Sequence, residues 1–222
     1  MAAVTAPTAQ SLLDRVRALA DGSERVLLGI TGAPAAGKST LAEWIATTLD
    51  GEGLPAVWVP MDGFHLADAA LDRLGRRNRK GAIDTFDAYG YLALLRRLRA
   101  ETGNTVYAPA FERDLEQPIA GSIPVPPDAR VVVTEGNYLL TDPDPWPHVH
   151  RELTEVWFTE TEHEVRRARL IARHVRFGKA PDAAAAWADE VDEPNARLIA
   201  ATRSRAALVV DFDALGLGAP VA

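Results

Sequence analysis

The chain has 222 residues, 47% of them apolar and 25% charged, with a net charge of −7 and no cysteine. These figures suit one globular domain with a sizeable core, and they exclude disulfides, thiolate metal sites and a cysteine nucleophile. The negative balance argues against general nucleic-acid affinity, and no run approaches the ~18 apolar residues of a membrane span.

Met1–Gln10 has no basic segment followed by an apolar run, so no secretory leader is expected and the cytoplasm is the default compartment. Residues 1–24 read as a helical extension. Within it, Leu12, Val16 and Leu19 share one face of a helix over 11–21 that Gly22 stops. Val26–Thr31 is a short apolar run of buried-strand type. Gly32-Ala33-Pro34-Ala35-Ala36-Gly37-Lys38-Ser39-Thr40 follows it and leads into a helical pattern over 41–49. The form G-x-x-x-x-G-K-S between a strand and a helix is that of a phosphate-binding loop. Its glycines let backbone N–H groups turn around an anion, its lysine reaches the β- and γ-phosphates, and its serine hydroxyl ligates Mg²⁺. The phosphate would sit at a helix N-terminus, where free N–H groups and the helix dipole favour negative charge.

Ala56–Met61 is a second buried strand, ending in Asp62-Gly63-Phe64-His65. A carboxylate just beyond a parallel strand lies on the ligand side of the sheet. Asp62 is therefore either a general base or Mg²⁺-linked group, or a turn or N-cap residue. His65 suits a structural role or a catalytic one. The basic run 71–81 reads as a solvated face that can also attract an anion. A helix over 89–101 is followed by the extended, aromatic segment Val106–Asp114, read as a small hairpin and one wall of an acceptor pocket. Arg130–Glu135 is a buried strand ending in a carboxylate, the form of a Walker B element. Asp142–Pro147 reads as a loop and Glu155–Thr159 as a further strand. Helix 161–177 carries Arg166, Arg169 and Arg173 on one face, and Gly178-Lys179-Ala180-Pro181 breaks it. An arginine-rich helix with a glycine hinge suits a lid, placed at about 162–190. Helices over 182–191 and 193–205 and a strand over 207–212 complete the chain. Alternating strands and helices imply a single α/β domain over 1–222, a three-layer sandwich with a parallel sheet and helices on both faces.

Together these elements resemble the P-loop kinases of the superfamily that includes phosphoribulokinase, uridine kinase and bacterial-type pantothenate kinase. The resemblance covers roughly 25–213. It rests on Gly32–Thr40, Met61–His65, Lys80-Gly81 with Thr85-Phe86-Asp87, Glu135–Leu140, the Arg169–Arg173 helix, Asp192–Ala196 and Thr202–Ala206. As a set they are similar to a bacterial branch labelled nucleoside kinase-like or fructose-transport-associated. The resemblance implies ATP and Mg²⁺ as cofactors and phosphoryl transfer to a hydroxyl. Lys38 would stabilise the transferring phosphoryl group, Ser39 would bind Mg²⁺, and Thr40 would bond the α-phosphate. Asp62 would be the base, while Glu135 would bind Mg²⁺ through water or contact the acceptor. Arg169 and Arg173 would be lid arginines, and Asn195 with Arg203 would lie where the adenine packs. The acceptor side would involve Asp62, Glu135 and Asn137 with His65, Lys80, Tyr107, Phe111 and Arg113. These last five follow none of the three named kinases closely, so neither uridine nor pantothenate is singled out, and the resemblance implies an acceptor among nucleosides, sugars and pantothenate-like alcohols.

Expected partners are thus ATP and a small molecule, with homodimerisation left open. Two rivals remain. A GTPase switch lacks its guanine-reading Asn-Lys-x-Asp here. An ATPase accessory protein would have no need of an acceptor base at Asp62.

Overall fold

In the computed structural model, residues 6–218 are described. The start of the 1–24 extension and of the Met1–Gln10 stretch lies outside them. Helix α1 (Ala9–Ala20) opens the described chain, capped by Thr8 and Ser11. Leu12, Leu13 and Val16 are buried, so the extension is packed into the core.

Five strands form one parallel sheet: β1 (Val26–Thr31), β2 (Ala56–Pro60), β5 (Val131–Glu135), β6 (Glu155–Glu160) and β7 (Leu208–Asp211). Their order is β2-β5-β1-β6-β7, which puts β1 at the centre. β1 is buried along its whole length, as its continuous apolar sequence requires. Its side chains alternate between two cores. Val26, Leu28 and Ile30 join α1 and α2 (Lys38–Gly51), packing with Leu41, Ile45 and Leu49. Leu27 faces the other way, toward α4 (Ala88–Ala100) and α5 (Trp146–Glu152), where Tyr91, Leu95 and Trp146 are buried. The three-layer α/β architecture read from the sequence is present.

β3 (Val106–Glu112) and β4 (Gln117–Val125) form a separate antiparallel hairpin, irregular between Ala108 and Ala110. It docks on the short 3-10 turn Met61–Phe64. Gly63 is required there, since a Cβ would stand 2.3 Å from the Pro109 carbonyl oxygen.

Four local expectations change. The stretch 142–147 is not all loop, because α5 starts at Trp146 with Pro147 in its first turn, where no N–H partner is lost. The basic run 71–81 overlaps the end of helix α3 (Asp68–Leu74) and is tied by ion pairs. In the lid region, α6 (His163–Arg176) and α7 (Pro181–Trp187) lead into a π turn at Ala188–Asp192. Finally, α8 (Glu193–Ala200) stops short of Arg205. Among the described residues no helix is long and apolar enough to cross a membrane.

Candidate active site

The sheet register fixes where the site lies. Ile30 of β1 and Pro60 of β2 both stand beside Glu135 of β5. Three strands end at one level, so loop 32–37, the Met61–Phe64 turn and Glu135 meet at the C-terminal edge of the sheet, where ligands bind in open α/β folds. Gly37 precedes α2 at φ +83° and Ala35 has φ +64°. Left-handed residues in such a loop build backbone nests for anions, here at the N-terminus of a 14-residue helix. A Cβ on Gly37 would stand 2.3 Å from the Phe212 ring, so the loop closes against the end of β7.

A cavity of about 520 Å³ opens at this edge. Pro34, Lys38, Ser39, Asp62 and Glu135 line its floor, and His65, Lys80, Phe111, Arg113 and Asn137 line one wall. Arg173 faces it from the lid and Asn195 from α8. The Lys38 ammonium donates to the Ala33 carbonyl at 3.0 Å, and Ser39 Oγ donates to Glu135 Oε1 at 3.1 Å. Lys38 and Glu135 are both buried. Burial and the Asp62 charge push the Glu135 carboxyl up to about 7, against the pull of Lys38. Burial brings the Lys38 ammonium down to about 8, with Glu135 and Asp62 opposing. Perturbed groups of this kind cluster at functional sites. A hydroxyl and a carboxylate side by side are hard oxygen donors. They fit Mg²⁺, which takes one or two protein oxygens and completes its shell with phosphate and water.

Asp62 lies within the 3-10 turn and caps no helix among the described residues. Its carboxylate has the Arg113 guanidinium at 4.0 Å as an ion-pair contact, and His65 Nδ1 lies at the same distance. The Arg173 guanidinium makes no hydrogen bond or ion pair among the described residues, while its backbone carbonyl accepts from the Phe177 N–H. Burial and the Arg113 charge hold its pKa below the ordinary value, which marks an environment that favours an arriving anion. Lys80 is already engaged: it pairs with Asp68 at 2.8 Å, donates to the Glu116 carbonyl and lies over the Phe111 ring. Its geometry is that of a strut tying α3 to the β3–β4 turn.

Gly32, Ala33, Ala35, Ala36 and Gly37 shape the loop, and Thr40 sits in the first turn of α2, without lining the cavity. Three expected residues stand apart from it. Arg169 pairs with Asp213 at 2.6 Å and lies over Phe212. Arg203 forks onto Glu160 at 2.6 and 3.0 Å. Tyr107 is 59% exposed, four residues or ~13 Å along β3 from Phe111.

Other residues join the site without having been candidates for it, although Phe86 lies in a motif of the family resemblance and Arg166 on the arginine face of the lid helix. Phe86, Phe177 and Trp187 also line the cavity. Lys179 lies 4.3 Å over the Trp187 ring, an arrangement signalled only by one aromatic beside an alanine run. Arg166 is buried, reaching Glu193 of α8 and the Pro34 carbonyl, so it joins the lid to the phosphate loop.

A family model described as Phosphoribulokinase / Uridine kinase family matches residues 27–211. A Schizosaccharomyces pombe protein provisionally named a uridine kinase is 35% identical over 185 residues, covering 79% of this chain and 78% of the relative. Among solved structures, a kinase provisionally assigned to a fructose transport system in Silicibacter sp. TM1040 matches at TM-score 0.79 and 37% identity. That match covers 89% of this chain and 98% of the other. The fold is also that of Saccharomyces cerevisiae YFH7, a P-loop protein, at TM-score 0.76 and 20% identity over 91% of this chain and 98% of the other.

Proposed function

The chain belongs to the phosphoribulokinase/uridine kinase family and is a phosphotransferase with a hydroxyl acceptor; from that premise we propose that it moves the γ-phosphoryl of Mg·ATP to a nucleoside, sugar or pantothenate-like alcohol, with Asp62 as the base. The observation that carries the reading is the meeting of Lys38, Ser39, Glu135 and Asp62 on one cavity floor. Loop 32–37 and the N-terminus of α2 hold the phosphates, and Lys38 neutralises the β- and γ-phosphate charge. Ser39 and Glu135 would hold Mg²⁺, which would supply charge neutralisation at the phosphates. Asp62 accepts a hydrogen bond from the acceptor hydroxyl, orients it and takes its proton as the new P–O bond forms. Arg173 stabilises charge on the phosphoryl group in transit, where preorganised cations act most strongly. Asn195 contributes to the nucleotide side, and His65, Phe111, Arg113 and Asn137 surround the acceptor. The described residues 6–218 act as one domain, with 162–190 as the lid. One relative is named for uridine and another for fructose transport, which supports nucleoside and sugar acceptors alike.

The test is ADP release from Mg·ATP against a panel of nucleosides, pentoses, hexoses and pantothenate, run with wild type and Asp62→Asn. Acceptor-dependent release that falls ~10²-fold or more in Asp62→Asn, with the KM for ATP little changed, is expected on the scale of general-base catalysis. Slow hydrolysis indifferent to every acceptor and to the substitution would return the ATPase accessory reading.

A further inference from the structure

His65 has a fixed tautomer. Its Nδ1 lies 2.8 Å from the Asp62 carbonyl oxygen. A carbonyl only accepts, so Nδ1 carries the hydrogen. Burial lowers the pKa of the ring, which favours the neutral form. In that form Nε2 holds a lone pair and no proton. Nε2 has no hydrogen-bond partner among the described residues, although the side chain is only 10% exposed and lines the cavity. The ring cannot readily turn away. Phe86 and Phe111 flank it with centroids at 4.1 and 4.7 Å, and a backbone bridge joins residues 65 and 86. An acceptor atom open to the cavity thus stands in an aromatic wall, one imidazole width beyond an Nδ1 that is itself 4.0 Å from Asp62 Oδ1.

We infer that His65 selects the acceptor: its Nε2 accepts a hydrogen bond from a second hydroxyl, next to the one that Asp62 engages, so the substrate is a sugar or polyol carrying a vicinal diol. This rests on the kinase reading above. Two hydroxyls on adjacent carbons, each making a bond of ~2.8 Å, bridge a gap of this size. Phe86 and Phe111 meet the C–H face that such a molecule presents beside its hydroxyls. A bound acceptor that covers Nε2 without offering the second hydroxyl takes its water away and gives nothing back, which is how a polar pocket rejects a deoxy analogue.

The experiment has two arms. Nitrogen-15 NMR of the histidine rings, with His65→Phe to assign the signal, reads the tautomer. Protonated Nδ1 with bare Nε2 is expected; protonation at Nε2 overturns the inference. In the second arm, D-ribose, D-fructose and uridine are compared with their monodeoxy analogues and with the mono-alcohols glycolate and L-homoserine. Wild type should lose about tenfold or more in kcat/KM on the analogue lacking the neighbouring hydroxyl. His65→Phe, which keeps an aromatic ring between Phe86 and Phe111, should raise the acceptor KM and treat parent and analogue alike. Mono-alcohols turned over as well as diols, a His65→Phe defect of equal size on parent and analogue, or an equal rise in the KM for Mg·ATP would each overturn it. If no compound raises ADP release, the kinase reading fails and the inference falls with it, whereas acceptor-dependent release without diol preference overturns the inference alone.

Discussion

Gly37→Ala tests the architecture on which the whole site depends. Residue 37 has φ +83°, and the new Cβ would lie 2.3, 2.5 and 2.6 Å from three carbons of the Phe212 ring. The left-handed conformation costs a non-glycine residue roughly 1–2 kcal/mol. Overpacking against a ring that is 1% exposed, and so has no room to yield, adds ~1–3 kcal/mol. The expected loss is about 2–5 kcal/mol, or roughly 5–15 °C in Tm for a domain of this size. The assay is thermal unfolding of the free protein, paired with the KM for Mg·ATP, which should rise at least ~10-fold as the phosphate loop is displaced. Phe212→Ala removes the obstructing ring. The double variant should therefore be more stable than the two single losses added together imply, by the ~1–3 kcal/mol of relieved overpacking. A Tm for Gly37→Ala within about 1 °C of wild type, or strict additivity in the double variant, refutes the reasoning.

Three further outcomes are expected. Arg173→Ala should lower kcat more than it raises the KM for ATP, whereas Arg169→Ala, whose guanidinium is held by Asp213 outside the cavity, should have the smaller effect on kcat; steady-state kinetics on both decides, and equal losses would contradict the placement. The Glu135 carboxyl is held near 7 against an ordinary 4.5, so the folded state keeps its proton longer, and this stabilisation is full below pH 4.5 and lost as pH rises through 7. In urea unfolding without nucleotide, Glu135→Gln should therefore gain on wild type by up to about 3 kcal/mol between pH 4.5 and pH 8, and a gap independent of pH would disprove it. Phe111→Ala should raise the acceptor KM while Tyr107→Ala leaves it unchanged, and the opposite ranking would move the pocket wall.

The phosphate loop, Asp62 and Glu135 were readable because each is a strand-end signal, and the parallel register carries all three to one level. Spacing alone could not separate Arg169 from Arg173. Four residues apart, they share a helix face, and only the chain's return at Phe212-Asp213 captures one of them. Lys80 looked like an anion receptor because its partners, Asp68 and the Glu116 carbonyl, are distant in sequence. Helix α5 hid in a proline-rich stretch, since proline reads as a break even where a first turn accepts it. Strand β4, with Pro118 and Pro124, lacks the alternation that marks a strand. The tautomer of His65 depends on one carbonyl three residues away, which no pattern of residue types reveals.

The two ends of the cavity are built to different mechanical standards. The phosphate loop springs from the central strand of a five-stranded sheet, with neighbours on both sides. The opposite wall is a two-stranded ribbon whose base is buried in the core at Val106, Ala108 and Val125, and whose outer part rests on the backbone contact at Gly63 and is pinned by Lys80 at its turn. A protein engineer would treat the first as chassis and the second as an exchangeable attachment. Substitutions at Phe111, Arg113 or the 113–116 turn should retarget the enzyme to new alcohols while leaving nucleotide handling and most of the folding energy in place, which makes the hairpin the place to begin a library for altered substrate choice.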